Sequence, residues 1–483
     1  MDNLRSRTIR SALWHFSGTG GRLAVQILVQ ICLARLLSPT DFGLMAMLAV
    51  VTGISQILIE GGFGLALIHR KEATCEEESS VLYCNTALAC GIAALLWIVS
   101  PWVALFYGQA ELSPLLRLSG LGLVAGALGI VHNSVLTRRM DFKSLAMITL
   151  LAGALSGGIA IWMACIGFGV WSLAWQMVLG AVFRTTLLWM RSKWRPVLRF
   201  DRGAVQKMGA YGSRLAASSI VSTLCENLNQ VLIGKFYSPV DLGYFTRAQF
   251  MQGIPVNTFS QAVAGVALPA FVHLNDKPQE FRQGYRRAIQ CTMALSAPMV
   301  ALLFILAKPI FFILLSSKWM PSVPYFQIFC VAGLLYPMHL LNINTLLALG
   351  RTDLYFRIEV LKRLVTLATL AAGLPFGVIG IALATVANSY ICLIINCHYT
   401  KTLVGYSLSR QILDVVPYVA CAICVAAVTW SILRVLPGGM IPQALAGTLV
   451  FVLGMFLGSF LIPGNIYLYL WRTCVVSLQS KQA

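Results

Sequence analysis

The sequence SPTDFG at residues 38–43 recurs as SPVDLG at residues 238–243. Each copy follows a long apolar segment and opens another, so each is predicted to form a turn at the start of a membrane helix. A membrane chain built from two similar halves is typical of transporters, whose substrate path lies between the halves. The predicted structural turn residues, with the two aspartates as helix N-caps, are Pro39, Asp41, Gly43, Pro239, Asp241 and Gly243.

Apolar residues dominate the composition of the chain. Hydrophobic residues make up 58% of the 483 residues, charged residues make up only 11%, and the mean hydropathy is +0.78. Because a membrane helix needs about 20 apolar residues, this content suffices for roughly fourteen of them. The sequence therefore predicts an all-α polytopic membrane protein with about 14 transmembrane helices, the first near 12–34 and the last near 442–470.

The net charge of +19 is spread over many short connections rather than gathered on one face. With the N-terminus in the cytoplasm, most of the 36 Lys and Arg residues fall on the cytoplasmic side, as the positive-inside rule requires. Both termini are therefore predicted to be cytoplasmic. The same spread argues against a nucleic-acid partner, which would need a concentrated basic surface.

The longest basic connection, residues 191–208, is predicted to divide the chain as a cytoplasmic linker. Before it lies an N-terminal six-helix half, residues 1–190, and after it a C-terminal six-helix half, residues 209–400. Residues 401–483 are predicted to form two extra transmembrane helices and a cytoplasmic tail. Since each half has an even number of spans, both halves take the same orientation, and a central cavity is expected between them.

A set of short segments follows the same order along the chain as in a known family. These segments are residues 34–43, 167–173, 233–235, 242–244 and 247–248, with Asn227 and Pro269. In order and spacing they resemble the polysaccharide transporter family of the multidrug/oligosaccharidyl-lipid/polysaccharide (MOP) exporter superfamily. Within that family they are most similar to the WzxC-like flippases of lipopolysaccharide and exopolysaccharide biosynthesis.

The resemblance implies a transporter of the bacterial inner membrane and not an enzyme. Such proteins translocate an undecaprenyl-pyrophosphate-linked oligosaccharide from the cytoplasmic to the periplasmic leaflet by alternating access. The implied partners are this lipid-linked oligosaccharide, membrane lipids and the polysaccharide polymerase or export machinery, with the flippase itself a monomer. No cofactor is implied, and the coupling ion is left open between a proton and sodium.

Two arginines are candidate ligands of the pyrophosphate group. Arg22 lies near the middle of the first predicted span, and Arg214 lies within the seventh, the corresponding helix of the other half. A charge inside a bilayer usually faces a cavity or a partner, and the guanidinium fork suits two phosphate oxygens. Glu60, predicted at a similar depth in the second span, is a candidate cavity residue, and the alternative is that it only neutralises Arg22. The alternative for Arg214, and the favoured interpretation of Arg184, is a side chain that snorkels to the membrane surface.

The seventh predicted span also carries an unusual group of polar residues. Glu226 and Gln230 share one helix face, and Asn227 lies beside them. Unpaired polar groups are costly in lipid, so these side chains are expected to contact sugar hydroxyls or a coupling proton. The alternative is hydrogen bonding between helices that holds the bundle together.

Motifs of enzymatic chemistry do not occur in the sequence. It contains no P-loop, no HExxH and no GxSxG, and its 13 cysteines show no metal-ligand spacing in a polar setting. No catalytic residue and no metal site are therefore predicted. The main alternative function is a multidrug or small-molecule exporter of the same superfamily, although a cationic substrate would favour acidic cavity residues. A membrane polymerase or ligase is disfavoured because no long outside loop is predicted, and a membrane scaffold leaves the arginines unexplained.

Overall fold

The computed structural model describes residues 20–60, 67, 74–435 and 439–460, and within these ranges the chain forms helices and no strand. Side chains in part of 204–215 are also outside the description. The helices are α1 (20–36), α2 (Pro39–Glu60), α3 (Cys75–Tyr107), α4 (Leu112–Ala127 and Ile130–Arg138), α5 (Phe142–Cys165), α6 (Val170–Arg191), α7 (Arg202–Glu226 and Leu228–Phe236), α8 (Pro239–His273), α9 (Pro278–Ile305 and Ala307–Leu315), α10 (Val323–Gly333 and Tyr336–Ala348), α11 (Thr352–Gly373), α12 (Gly377–Val404), α13 (Leu408–Val435) and α14 (Met440–Ser459).

The predicted all-α membrane architecture is confirmed. In the described ranges, eleven helices are long and apolar enough to cross a membrane when α11 and α12 are taken as one. A 3₁₀ turn, Leu374–Phe376, and a positive φ of 79° at Gly377 separate α11 from α12. Glycine adopts such a φ at little cost, so the chain reverses here into a helical hairpin. The total of fourteen spans stays a prediction.

The described helices belong to two compact units, Met1–Gly243 and Tyr244–Ala483. In the first unit, α4 packs against α3 and α6, and α7 packs against α2 and α3. By its packing, α7 therefore belongs with the first six helices. The boundary predicted at 191–208 separates the two copies of the internal repeat and not two packing units. It stays a prediction.

The connection after α6 is held against the start of α3. Within 192–201, the backbone N–H of Val197 donates to Ser79 Oγ at 2.9 Å, and that of Asp201 donates to Ser80 Oγ at 2.7 Å. These bonds satisfy backbone groups that the extended connection cannot pair with itself. The basic linker is thus fixed to the first unit along part of its length.

The two SPxDxG phrases form reciprocal hydrogen bonds at the starts of α2 and α8. In the first, Ser38 Oγ donates to Asp41 Oδ2 at 2.7 Å, and the backbone N–H of Asp41 donates to Ser38 Oγ at 3.3 Å. In the second, the same two bonds join Ser238 and Asp241 at 2.6 and 3.1 Å. The prediction that the aspartates are the N-caps was wrong. Each helix begins at the proline, so the preceding serine is the N-cap. The aspartate, at the third helical position, bonds back to that serine and so completes a capping box.

Replacing Asp41 with alanine is expected to lower the free energy of unfolding by about 1 kcal/mol, because the carboxylate also accepts the backbone N–H of Ser38 at 2.8 Å. Unfolding of the purified protein in detergent measures this loss. Thr40→Ala is the matched control, since within the described residues the Thr40 side chain makes no hydrogen bond. An equal loss in both variants would contradict the capping role.

The same two phrases also approach each other closely within the first unit. A Cβ atom placed on Gly43 would lie 1.8 Å from the carbonyl oxygen of Pro239. A Cβ atom on Gly243 would lie 2.0 Å from the carbonyl oxygen of Pro39. Both distances are far below van der Waals contact, so only glycine fits at either position. The internal repeat therefore has a physical counterpart, a reciprocal contact between its two copies.

A fully buried polar network joins three helices of the second unit. The Tyr285 hydroxyl on α9 donates to Asn342 Oδ1 on α10 at 2.8 Å, and Thr400 Oγ1 on α12 donates to the same oxygen at 2.6 Å. All three side chains are completely buried. Satisfied polar groups in a dry core fix which neighbours pack together, because any other arrangement leaves one of them unpaired.

Candidate functional site

A cavity of about 560 Å³ lies within the first unit, between α2, α4, α6 and α7. Its wall combines small residues, which leave the space open, with polar side chains that are unusual among membrane helices. The residues that give the cavity its polar character are Thr52, Gln56, Glu60, Ser119, Asn133, Ser134, Arg184, Thr185 and Ser219.

A break in α4 shapes one wall of this cavity. The backbone N–H of Gly129 bonds to Gly126 at 2.9 Å instead of to Ala125, so the helix is interrupted. Two side chains of α6 bond to carbonyls at the break: Thr185 Oγ1 donates to Ala125 at 2.7 Å, and the indole N–H of Trp189 donates to Leu128 at 3.0 Å. An interrupted helix is stable in a membrane protein when neighbouring groups supply such bonds.

Side chains of opposite charge line the cavity wall. The amide of Gln56 on α2 donates to Glu60 Oε1 at 3.0 Å. The guanidinium of Arg184 on α6 donates to Asn133 Oδ1 at 3.1 Å, just beyond the α4 break. Both charged side chains are exposed, in keeping with their place on a cavity wall. Arg184 lines the cavity, and its interpretation as a snorkelling residue stays a prediction.

Arg22 contributes a second positive charge to this region. Its side chain is exposed on α1, and both its charge and that of Glu60 act on Arg184. Among the described residues, no ion pair joins Arg22 to Glu60, so the two do not neutralise each other by direct contact. Among the described residues, the guanidinium groups of Arg184 and Arg22 outnumber the carboxylate of Glu60, a balance that favours an anionic guest.

The structure brings together only some of the predicted site residues. Glu60 lies on the wall of the cavity of the first unit, and Arg22, which is not on that wall, is close enough for its charge to act on Arg184. The side chain of Arg214 is outside the described residues, but Ala216 and Ser219 on the same helix line the cavity. That stretch of α7 therefore faces the site, and the role of Arg214 stays a prediction.

The remaining predicted residues surround an interruption of α7. The helix ends at Glu226 and resumes at Leu228, and Asn227, with φ −100° and ψ 7°, interrupts it. The Asn227 amide donates to the carbonyl of Thr223 at 2.8 Å, and the backbone N–H of Gln230 donates to the carbonyl of Asn227 at 2.9 Å. These bonds satisfy backbone groups at the break, which is a structural use of Asn227. Neither Glu226 nor Gln230 is on the wall of the cavity, and their contact with substrate stays a prediction.

Sequence reasoning missed Gln56 and Asn133, which hold the two charges of the cavity wall. A signal for both exists in the sequence. Gln56 precedes Glu60 by four positions, which places the two side chains on one helix face. Asn133 follows Gly126 and Gly129, which mark the helix break.

The family model described as "Polysaccharide biosynthesis protein" matches residues 32–324, more than half of the chain. The chain belongs to this family. This description agrees with the resemblance seen in the sequence. A second family model, described as "Lipid II flippase MurJ", matches residues 213–451.

Relatives with established names are similar to this family member over most of their lengths. The succinoglycan biosynthesis transport protein ExoT of Rhizobium meliloti is 28% identical, over 82% of this chain and 79% of its own. The teichuronic acid biosynthesis protein TuaB of Bacillus subtilis is 27% identical over 74% of each chain. The lipopolysaccharide biosynthesis protein WzxC of Escherichia coli is 24% identical over 85% of each chain.

Solved structures show the same fold. The lipid II flippase MurJ in an inward closed conformation superposes with a TM-score of 0.75 at 15% identity, covering 92% of this chain and 98% of MurJ. An inward-facing multidrug transporter of the MATE family superposes with a TM-score of 0.60 at 17% identity, covering 80% of this chain and 94% of its own. This polysaccharide biosynthesis protein therefore shares its fold with MurJ and with a MATE transporter.

Proposed function

We propose that this protein is a flippase that translocates an undecaprenyl-pyrophosphate-linked oligosaccharide for lipopolysaccharide or exopolysaccharide biosynthesis. The observation that carries the proposal is the positively charged cavity of the first unit, on a fold shared with a lipid II flippase. A sugar pyrophosphate is polar and anionic and cannot cross hydrocarbon unaided. A cationic path through the helices lowers that cost, while the lipid tail stays in the membrane.

The charges of the cavity favour this substrate over a cation. Arg184 on the cavity wall and Arg22 near it supply two guanidinium groups, and among the described residues of the wall Glu60 is the only carboxylate. Guanidinium groups bind phosphate oxygens through paired hydrogen bonds. In the proposal, Arg22 and Arg184 hold the pyrophosphate, Arg214 joins them from α7, and Glu60 limits how tightly the anion is held, so that it can be released.

The proposal includes a location and a cycle. The protein lies in the bacterial inner membrane with both termini in the cytoplasm, as the distribution of Lys and Arg favours. Translocation proceeds by alternating access through a central cavity between the six-helix halves, without covalent chemistry. The driving ion, a proton or sodium, and contact with a polymerase or export machinery are left open in this proposal.

Accumulation of the lipid-linked intermediate tests the function. In a strain that lacks this gene, undecaprenyl-linked oligosaccharide is expected to accumulate on the cytoplasmic leaflet, and the intact gene is expected to relieve this. Absence of accumulation would overturn the proposed function.

Replacing Arg22 with alanine is expected to lower the rate of translocation at least tenfold, because one of the cations that hold the pyrophosphate in the proposal is lost. The readout is the remaining cytoplasmic intermediate at equal amounts of folded protein in the membrane. Arg139→Ala, an exposed arginine at the end of α4, is the control. Full relief by the Arg22 variant would assign Arg22 a structural role and leave the flippase function standing.

A further inference from the structure

A second cavity lies within the second unit, between the start of α9 and the start of α13. This groove has a volume of about 550 Å³. The proposed transport function makes no use of it. The residues of its wall that matter here are Arg282, Arg286, Tyr406, Arg410, Leu413 and Asp414.

One carboxylate and one guanidinium in this groove are already paired. Arg286 Nε donates to Asp414 Oδ2 at 2.7 Å, and the amide of Gln290 donates to Asp414 Oδ1 at 3.1 Å. The hydroxyl of Tyr406 donates to the same carboxylate. With three donors around it, Asp414 fixes α13 against α9 and has little remaining capacity for further cations.

Two other arginines of the groove have no such partner. Within the described residues, neither Arg282 nor Arg410 forms an ion pair with a carboxylate. The positive ends of two long helices add to their charge, since α9 begins at Pro278 and α13 begins at Leu408. The groove therefore carries two uncompensated guanidinium groups beside two helix N-termini, an arrangement that attracts an anion.

The surface next to the groove is apolar. Leu413 and Val416 follow Arg410 on α13 at spacings of three residues, so the three share one helix face. Leu413 is 71% exposed and Val416 is 49% exposed. A cation at the end of a membrane helix with exposed apolar side chains beyond it matches a lipid, whose phosphate is followed by acyl chains.

We propose that this groove binds the phosphate-bearing head group of a membrane lipid in the cytoplasmic leaflet. Arg282 and Arg410 bind the phosphate oxygens, and Leu413 contacts the start of an acyl chain. Arg286, held by Asp414, forms the back wall. The site shares no residue with the transport cavity of the first unit, so this proposal does not depend on the identity of the transported substrate.

Native mass spectrometry of the full-length protein with added phosphatidylglycerol tests this site. The wild-type protein is expected to retain one more phosphatidylglycerol than the double variant R282Q/R410Q, with at least tenfold weaker binding in that variant. Arg357→Gln is the matched control, an exposed arginine near the start of α11 that forms no ion pair within the described residues. Equal retention by the wild type and the double variant would overturn the proposal. The single variants R282Q and R410Q, each expected to weaken binding, serve if the double variant does not fold.

Two further probes identify the source of the phosphate. If undecaprenyl pyrophosphate bound more tightly than phosphatidylglycerol, and the double variant lost this binding, the result would support the site with the substrate lipid as its occupant. Preference for phosphatidylglycerol would support it with a bulk phospholipid as the occupant. If inorganic phosphate bound as tightly as either lipid, the assignment to a lipid would be overturned, because the apolar side chains of Leu413 and Val416 would then contribute nothing to the affinity.

Discussion

Gly43→Ala is expected to destabilise the protein by 2 kcal/mol or more and to abolish most of its transport. The new methyl group would lie 1.8 Å from the carbonyl oxygen of Pro239, so the starts of α2 and α8 must separate or bend. Gly243→Ala is expected to act alike, through its 2.0 Å approach to Pro39. Unfolding in detergent measures the first effect, and relief of the accumulated lipid-linked intermediate measures the second.

Gly91→Ala and Gly153→Ala are the matched controls. Both glycines lie within helices, on α3 and α5, and an added Cβ there meets no atom within 4 Å. Because alanine is favoured over glycine in a helix by about 1 kcal/mol, these variants are expected to be as stable as the wild type or more so. If Gly43→Ala matched these controls, the close contact between the two phrases would not exist in the folded protein.

Arg184→Ala is expected to lower transport by at least tenfold while the protein still folds. The change removes a cation from the cavity wall and leaves Glu60 with less compensation, which opposes the entry of an anion. Arg184→Lys keeps the charge but loses the two-pronged donor and the bond to Asn133, so an intermediate rate is expected. Transport is again read from the intermediate that remains on the cytoplasmic leaflet.

Arg139→Ala controls for the general loss of an arginine from the first unit. Its side chain is exposed at the end of α4 and is not on the cavity wall. If the Arg184→Ala variant transported as fast as the wild type at equal expression, Arg184 would not belong to the proposed pyrophosphate site. A loss for Arg184→Lys as large as for the alanine variant would show that geometry rather than charge decides.

Much of the fold could be predicted from the sequence because lipid leaves helices few alternatives. Apolar length sets where a helix fits, and backbone groups must pair within it. Glycines also mark the chain reversals between α5 and α6, at Gly167 and Gly169, and between α11 and α12, at Gly377, because these glycines take the positive φ values that end a helix. The identity of the N-cap could not be predicted from the sequence. Serine and aspartate are both common N-cap residues, and Ser38 and Asp41 lie only three positions apart.

The candidate site was predicted less completely, and helix breaks explain why. Arg184 lies seven residues before the basic sequence that begins at Arg191, which suggests a route for its side chain to the membrane surface. The break of α4 near Gly129 instead places Asn133 within hydrogen-bond reach of Arg184. Such a pairing joins residues 51 positions apart and depends on packing that no local pattern encodes.

The hydrogen bonds between the connection 192–201 and α3 have a practical consequence for labelling this protein. A polar connection rich in basic residues invites the insertion of an epitope tag or a fluorescent protein. Here Val197 and Asp201 are bonded through their backbones to Ser79 and Ser80, so an insert between them would pull apart contacts that secure α3. Reporter insertions belong elsewhere on the chain, and cleavage by a protease within this connection would report loosening of α3.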